Sequence, residues 1–357
     1  MATQSELVRV PPSSIHSFVT SIFQAAGVPP EHASLIADSL TLADLRGVDT
    51  HGVNRVPVYL QRVKAGVLDP SPQLSFVSKS PVMAVLDAKN TFGFVAANLA
   101  VSKAVEMAKI YGVGICAVKD SGHFGMAATY LLKAIENEMG AMVFTNASRS
   151  MPAWGSKEAL LGTSPFAVGL PGKNGDHWTL DMSPSVVARG KIRKAARRGE
   201  PIPEGWALDA EGRHTTDAAA ALNGGVVLPI GGPKGSGIAM MMDIFGGLLT
   251  GASFAGNVQD QYKVLDKKHG VGHWFMVFKP DMFLDSMDEY YDRMETLMKT
   301  VRESEKAAGV DRIYTPGEIE FIKEKENREK GVAFTKGEID ALHKTAAEWG
   351  CDAKLVS

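Results

Sequence analysis

The run Val113-Gly114-Ile115-Cys116-Ala117-Val118, followed by Ser121-Gly122-His123-Phe124-Gly125 and a helix-forming stretch to Asn137, sets the reading of the chain. The first six residues are too continuously apolar for a strand washed by solvent on one face. A glycine-flanked histidine follows, and Gly125–Asn137 reads as a helix, so the unit is strand, loop, helix. Outward from it, Met83–Leu86, Ala141–Phe144, Phe166–Leu170, Trp178–Leu180 and Gly272–Phe278 read as further strands, with Ala96–Tyr111 a helix between the first pair. The alternation predicts an α/β layered unit and leaves strand order and direction open.

Helices flank this unit. Ser13 and Ser14 are candidate caps for a helix whose Ile15, Phe18, Val19, Ile22 and Phe23 share one face. A second helix runs from Pro30 to Leu45 and stops at Gly47. Residues 185–225 read as an irregular excursion that opens with the basic cluster Lys191, Arg193, Lys194, Arg197 and Arg198, which by itself describes a solvated helix face. Gly231–Gly237 opens an apolar helix, Ile238–Leu249, whose Met240-Met241-Met242 reads as core filling. From Ser286 onward three charged helices finish the chain.

The 357 residues suffice for two domains. Against 38 Lys and Arg stand 40 Asp and Glu, a net charge of −2 that gives no electrostatic reason to expect nucleic acid or an anionic membrane as partner. Two cysteines, Cys116 and Cys351, are too few for a disulfide framework or a four-thiolate zinc site. Met1–Val10 lacks the apolar stretch of a secretory signal, and no run is long enough to span a membrane, so the cytoplasm is the expected compartment.

No G-x-G-x-x-G follows a strand, the lysine of Gly231–Gly237 precedes its glycine in the wrong order for a P-loop, and neither G-x-S-x-G nor H-E-x-x-H occurs. His269 and His273 are spaced as a helical metal pair, but Gly270 and Gly272 argue against a helix, and no metal is expected. His51, beside Thr50 and Gly52 past a helix end, and His123, between strand and helix, stand where loops present proton-exchanging groups; a structural role for each is the alternative. Arg55 and Tyr59, four apart, share a face of any helix starting after Gly52, and arginine holds carboxylates in a bidentate fork. Lys234 at a helix entry suits a phosphate or a plain surface, and Asp181 at a strand end suits ribose hydroxyls or a cap.

Six motifs then fall in order: Asp44-Leu45-Arg46-Gly47-Val48-Asp49-Thr50-His51-Gly52-Val53, Gly122-His123-Phe124-Gly125, Leu180-Asp181-Met182-Ser183, Ala188-Arg189-Gly190-Lys191, Gly232-Pro233-Lys234-Gly235 and Pro316-Gly317-Glu318. Together they resemble the malate/L-lactate/ureidoglycolate dehydrogenase family over residues 10–335. The resemblance implies an NAD- or NADP-dependent oxidoreductase acting between a small 2-hydroxy acid and its 2-oxo acid, with a reductase of cyclic or N-alkyl imine 2-carboxylates as the alternative and a non-catalytic binding protein as the third reading. It implies a three-layer mixed-sheet cofactor domain, residues 76–284, and a helical domain built from 1–75 and 285–357. The fold is not of Rossmann type, and the assembly is a homodimer.

By motif match, the resemblance makes His51 the proton donor, with Thr50 beside it and His123 the other candidate. Arg55 and Tyr59 would orient the substrate carboxylate, and Arg46 would support that loop. Cofactor contacts would come from Asn146, Ala147, Ser148, Asp181, Met182, Ser183, Lys234, Gly235, Pro316, Gly317 and Glu318. Ser148 replaces an Asp of ureidoglycolate dehydrogenases, which argues against ureidoglycolate as substrate.

Overall fold

The computed structural model describes residues 7–356, so of Met1–Val10 only Leu7–Val10 lies within the described residues. Seven strands form one sheet: β1 (Phe76–Ser80), β2 (Met83–Asp87), β3 (Val113–Ser121), β4 (Gly140–Thr145), β5 (Phe166–Leu170), β6 (Trp178–Met182) and β7 (Val271–Phe278). Their spatial order is β1-β2-β3-β7-β4-β5-β6. Only β2 and β3 pair in parallel, joined by the crossover helix α4 described below; the other neighbours are antiparallel. The sheet is therefore mixed. β3, β4 and β6 run the same way, and their C-terminal ends share one edge with the start of β7.

The helices are α1 (Pro12–Ala25), α2 (Pro30–Leu45), α3 (Val56–Lys64), α4 (Gly93–Tyr111), α5 (Ala128–Ile135), α6 (Arg189–Arg198), α7 (Ala218–Leu222), α8 (Pro233–Asp243), α9 (Met287–Arg302), α10 (Glu318–Lys330) and α11 (Lys336–Glu348). On one face of the sheet α4 and α5 bury Cys116, Val118, Ala141, Val143, Ala167, Phe275 and Val277. The other face stacks Trp274 on Phe144 at 5.3 Å and meets Phe245 of the π-helical turn Ile244–Leu248 edge-on. Both faces are thus covered, which is why the strands are continuously apolar.

A separate core gathers α1, α2, α3 and α11 around Ile15, Phe18, Ile36, Leu40, Tyr59 and Leu342, closed by a two-stranded ladder of Leu7–Val10 with Val332–Thr335. Helix α9 packs Tyr290, Met294 and Met298 against Leu170 and Trp178 of the sheet.

Several local expectations change. Helix α1 starts at Pro12 behind Pro11 with no side-chain cap, because proline at the first helical position is already pre-set in φ and Ser13 and Ser14 lie inside the helix. Helix α5 begins at Ala128, not Gly125, whose φ of +80° keeps it outside the helix. Of the three consecutive methionines, Met242 is fully buried while Met240 and Met241 are 51% and 37% exposed; successive residues turn about 100° on a helix, so one alone faces the core. The excursion is ordered: α6, α7 and a small sheet of Ala207–Leu208, His214–Thr215 and Val226–Val227 enclose their own apolar cluster.

Candidate active site

The last turn of helix α2 carries Asp44, a buried carboxylate whose Oδ2 accepts the amide of Val53 at 2.9 Å. This contact anchors the second of two short 3-10 turns, Asp49–His51 and Val53–Arg55, against α2, and each turn closes on its own backbone hydrogen bonds. Gly52 sits against the same carboxylate, and a Cβ there would run into it, so the Thr50-His51-Gly52 sequence needs its glycine for packing. Burial pushes the Asp44 carboxyl up to about 8, and the charges of Asp49 and Glu338 add to this. The motif alone shows no role for Asp44, since nothing in a sequence reveals a hydrogen bond donated to a helix end by an amide nine residues on.

The turns set His51 beside His123, which arrives from the C-terminal end of β3. The two imidazoles stack with centroids 5.4 Å apart and planes 25° apart. The loop carrying His123 rests on the start of α4, where a Cβ at Gly93 would collide with the carbonyls of Gly122 and His123. His123 Nδ1 lies 2.9 Å from the Tyr59 hydroxyl and 3.3 Å from the amide of Gly125. An amide can only donate, so Nδ1 is the acceptor of both bonds and the ring proton sits on Nε2. On His51, Nδ1 lies 3.0 Å from the Thr50 hydroxyl. Desolvation and the Arg55 charge push His51 down to about 3; the same two causes, followed by His51, His269 and His273, hold His123 well below its ordinary value. Both rings are neutral at pH 7 while the site holds no anion.

Arg55 completes this group. Its Nε donates to the Thr50 carbonyl, its Nη1 is buried with no hydrogen-bond partner among the described residues, and its guanidinium lies 5.8 Å from the ring centre of Tyr262. The expected sharing of a face by Arg55 and Tyr59 is met only in part, because the first turn after Gly52 is 3-10 and α3 begins at Val56. Arg46 is elsewhere. Its buried guanidinium pairs with Glu324 of α10 at 2.9 Å and does not brace the His51 loop. With Lys133, His177, Thr179 and Gly317 it lines a cleft of about 440 Å³ between α2, α5 and α10.

The remaining candidates fall along the sheet edge. Asn146, after β4, is buried, accepts the Gly272 amide and donates to the Ser253 carbonyl, so its side chain is already engaged; Ala147 and Ser148 follow, half-buried. Asp181, near the end of β6, accepts the Ala128 amide at 2.7 Å and so caps α5; confinement raises its carboxyl to about 6, although solvent still reaches the residue. Met182 is half-buried, and the Ser183 hydroxyl meets that of Ser185 at 2.8 Å. Lys234 is exposed in the first turn of α8, with no ion pair among the described residues, while Gly235 packs so closely on Ile230 that a Cβ would strike its carbonyl. The Pro316 carbonyl accepts the Thr179 amide at 3.1 Å, placing Pro316 and Gly317 beside β6. The Glu318 carboxylate receives Arg302, Arg312 and both the amide and hydroxyl of Thr315, and so ties down that loop.

His269 and His273 are buried and outside any helix. His273 bridges Thr145 and Ser121 at 2.8 and 2.9 Å. Among the described residues no group of three His, Cys, Asp or Glu side chains could hold a metal ion. Sequence reasoning also missed Arg62, a buried α3 residue that donates to the carbonyls of Gln261, Val264 and Lys267 and thereby fixes the loop carrying Tyr262.

A candidate site with an open guanidinium edge, two imidazoles and a strand edge of polar loops is thus built without the usual dinucleotide fingerprint, and comparison with known proteins finds the same arrangement of chain. The malate dehydrogenase of Pyrococcus abyssi is 34% identical over 350 residues, covering 96% of this chain and 95% of that protein. The (2R)-3-sulfolactate dehydrogenase (NADP(+)) of Chromohalobacter salexigens is 35% identical over 81% of this chain and 85% of its own. The solved sulfolactate dehydrogenase from Methanocaldococcus jannaschii superposes with a TM-score of 0.90 at 33% identity, covering 97% of this chain and 98% of that one. The family model described as malate/L-lactate dehydrogenase matches residues 10–343, and the chain belongs to that family.

Proposed function

We propose that the protein interconverts a small 2-hydroxy acid and its 2-oxo acid with NAD(H) or NADP(H), holding the substrate carboxylate on Arg55 and the proton of the carbonyl oxygen on His51. The observation that carries this reading is the Arg55 guanidinium, aimed by the Thr50 carbonyl and left with a buried, unpartnered Nη1 beside two stacked imidazoles. An unpaired buried donor is costly, and a carboxylate satisfies it.

The strand edge fits a nicotinamide dinucleotide. Lys234 is an unneutralised cation, Asp181 offers an accessible carboxylate to hydroxyls, and the backbone at Gly235 and Gly317 tolerates no side chain, since a Cβ at either would strike Ile230 or Thr179. Asn146–Ser148, Asp181–Ser183, Lys234, Gly235 and Pro316–Gly317 would hold the cofactor, with Glu318 bracing the last of these. When bound, the cofactor supplies the hydride that adds to the carbonyl carbon or takes it from the carbinol carbon.

Arg55 orients the acid, and neutralising it removes one of the charges that depress His51, so the imidazole gains proton affinity as substrate seats. His51, reached by solvent, then gives its proton to the carbonyl oxygen in reduction and takes it back in oxidation. His123 offers its Nε2–H as a neutral donor, with Nδ1 locked by Tyr59 and Gly125. Thr50 aligns His51.

The same reading includes a helical unit, residues 1–75 and 285–357, around a cofactor unit, 76–284, and a homodimer. Met240, Met241, Ile244, Leu248, Leu249 and Phe254 are all exposed along one stretch, an apolar area suited to a second copy. No helix among the described residues is long and apolar enough to cross a membrane. The buried free thiols Cys116 and Cys351 suit the cytoplasm.

Loss of reduced-nicotinamide absorbance with NADH and NADPH separately, over oxaloacetate, pyruvate and sulfopyruvate, tests the proposal. Turnover of a free oxo acid is expected. Turnover of pyruvate only with methylamine present would replace it with the imine reductase reading.

A further inference from the structure

His273 was singled out by its spacing from His269, and it has no place in the chemistry proposed above, yet it sits directly beneath the site. The register of β7 against β3 shifts between Val271, which stands opposite Ser121, and His273, which stands opposite Val118; on its other side His273 faces Thr145 of β4. Such a bulge re-aims a side chain. The imidazole is fully buried between the ends of two strands, with Nδ1 2.8 Å from the Thr145 hydroxyl and Nε2 2.9 Å from the Ser121 hydroxyl. Its ring also stacks on Phe124, with centroids 4.6 Å apart and planes 6° apart. Ser121 and Phe124 bracket His123, and Thr145 precedes Asn146. The backbone beside it joins in, since the Gly272 amide donates to Asn146 Oδ1 at 3.0 Å.

The bridge forms in either ring tautomer, because a neutral imidazole has one donor and one acceptor and each hydroxyl has a carbonyl in reserve. With the proton on Nδ1, His273 donates to Thr145, Thr145 donates to the Gly272 carbonyl at 3.0 Å, and Ser121 donates to Nε2. With the proton on Nε2, His273 donates to Ser121, Ser121 donates to the Gly122 carbonyl at 3.5 Å, and Thr145 donates to Nδ1. Burial, followed by the charge of His269, pushes the ring down to about 3, so it is neutral at pH 7. A sealed ring engaged at both nitrogens exchanges no proton with a substrate; what it fixes is distance.

We infer that His273 is a positioning residue that holds the His123 loop and the Asn146 loop at one spacing, so that a single buried side chain sets the donor for the carbonyl oxygen relative to the cofactor's place. This rests on the reading of His123 as a donor beside the substrate and of Asn146–Ser148 as cofactor contacts. The two halves of the bridge are separable. An asparagine amide nitrogen takes the place of Nδ1 and keeps Thr145; a glutamine amide nitrogen takes the place of Nε2 and keeps Ser121.

The experiment takes His273→Asn, His273→Gln, Ser121→Ala and Thr145→Val. It measures Kd for NADH and NADPH by fluorescence titration without acid, kcat for the 2-oxo acid that the wild type turns over best, and thermal unfolding. His273→Asn and Ser121→Ala should lower kcat about 10- to 100-fold while the cofactor Kd stays within about twofold. His273→Gln and Thr145→Val should do the converse, raising that Kd about 5- to 10-fold with kcat within about threefold. If a His273 variant fails to fold, Ser121→Ala and Thr145→Val decide, since each removes one oxygen from the bridge and leaves the ring in place. The same profile from both pairs, or a lower melting temperature with kcat and Kd unchanged, overturns the inference and leaves the assignment of the site standing. A wild type that turns over no 2-oxo acid removes the reading on which it rests, and the inference with it.

Discussion

Arg46 and Arg55 lie nine residues apart in one continuous stretch, and each is an arginine at a helix boundary, yet their surroundings are opposite. Arg46, just past α2, gives Nη1 to the Glu324 carboxylate, with its Nε buried and unpartnered among the described residues, and props α10 onto the helical core. Arg55, just before α3, has no carboxylate at all among the described residues: a backbone carbonyl takes its Nε, and its Nη1 has no partner there. A guanidinium already paired with a carboxylate can accept a second anion only by giving up the first. The difference teaches that pairing with a carboxylate, more than motif membership, separates an arginine committed to the fold from one left open to an anion such as the proposed substrate.

The largest effect that tests this contrast lies beside Arg55. His51→Ala should lower turnover by about 10²–10⁴-fold with the melting temperature little changed, measured by steady-state kinetics and thermal unfolding. The wild-type reaction also carries a sign. His51 is pushed down to about 3, so its protonated form becomes commoner by up to about tenfold per pH unit as pH falls from 8 to 6, and kcat/KM for reduction should rise accordingly. Oxidation, which needs neutral His51, gains nothing from acid. A reduction rate that is flat over this range would move the proton to another group.

Next in size, Arg55→Ala should cut kcat/KM for the 2-oxo acid by about 10- to 100-fold, mainly through KM. Arg46→Met should do the converse: stability falls by about 1–3 kcal/mol in urea unfolding, since Glu324 keeps Arg328, while kcat/KM stays within about threefold. If Arg46→Met instead weakens substrate binding and spares stability, the contrast between the two sites is lost.

A last effect concerns Asp44, which serves both regions. Its folded pKa is raised to about 8, above that of an unfolded carboxylate, so its contribution to stability is complete below about pH 4 and is lost as pH rises toward 8. Asp44→Asn keeps an acceptor for Val53 and removes the titration. Between pH 5 and 8 the wild type should lose stability more steeply than this variant, by up to about 1.4 kcal/mol per pH unit. Equal slopes would mean that Asp44 is ionised in the folded protein.

Much of this architecture was readable from residues alone. Six of the seven sheet strands announced themselves by apolar runs, but Phe76–Ser80 did not, because an edge strand with three exposed residues carries no such run. Leu7–Val10 and Val332–Thr335 escaped for a related reason: a two-stranded ladder of four residues each has no periodicity long enough to stand out. In the site, spacing along the chain placed His51, Arg55 and Tyr59 together, and the strand-to-helix loop singled out His123, whose nearness to His51 only the family likeness implied. Asp44, Arg62 and Tyr262 were invisible because their roles exist only across folded distances, as did the pairing that takes Arg46 out of the substrate loop.

The ladder of Leu7–Val10 with Val332–Thr335 has a consequence for the order of events at the ribosome. The apolar faces of α1 and α2 are made first, but the strand and helix that close their core are made last. At synthesis rates of about 5–20 residues per second, Ile15, Phe18 and Phe23 wait on the order of 15–60 s for Phe334 and Leu342. The sheet, whose central strand β7 is complete by Phe278, can assemble in the meantime. The nascent helices therefore face a window in which chaperone occupancy, rather than intrinsic stability, decides their fate, and a ribosome stalled shortly before Val332 would release a chain with a finished sheet and an open helical core.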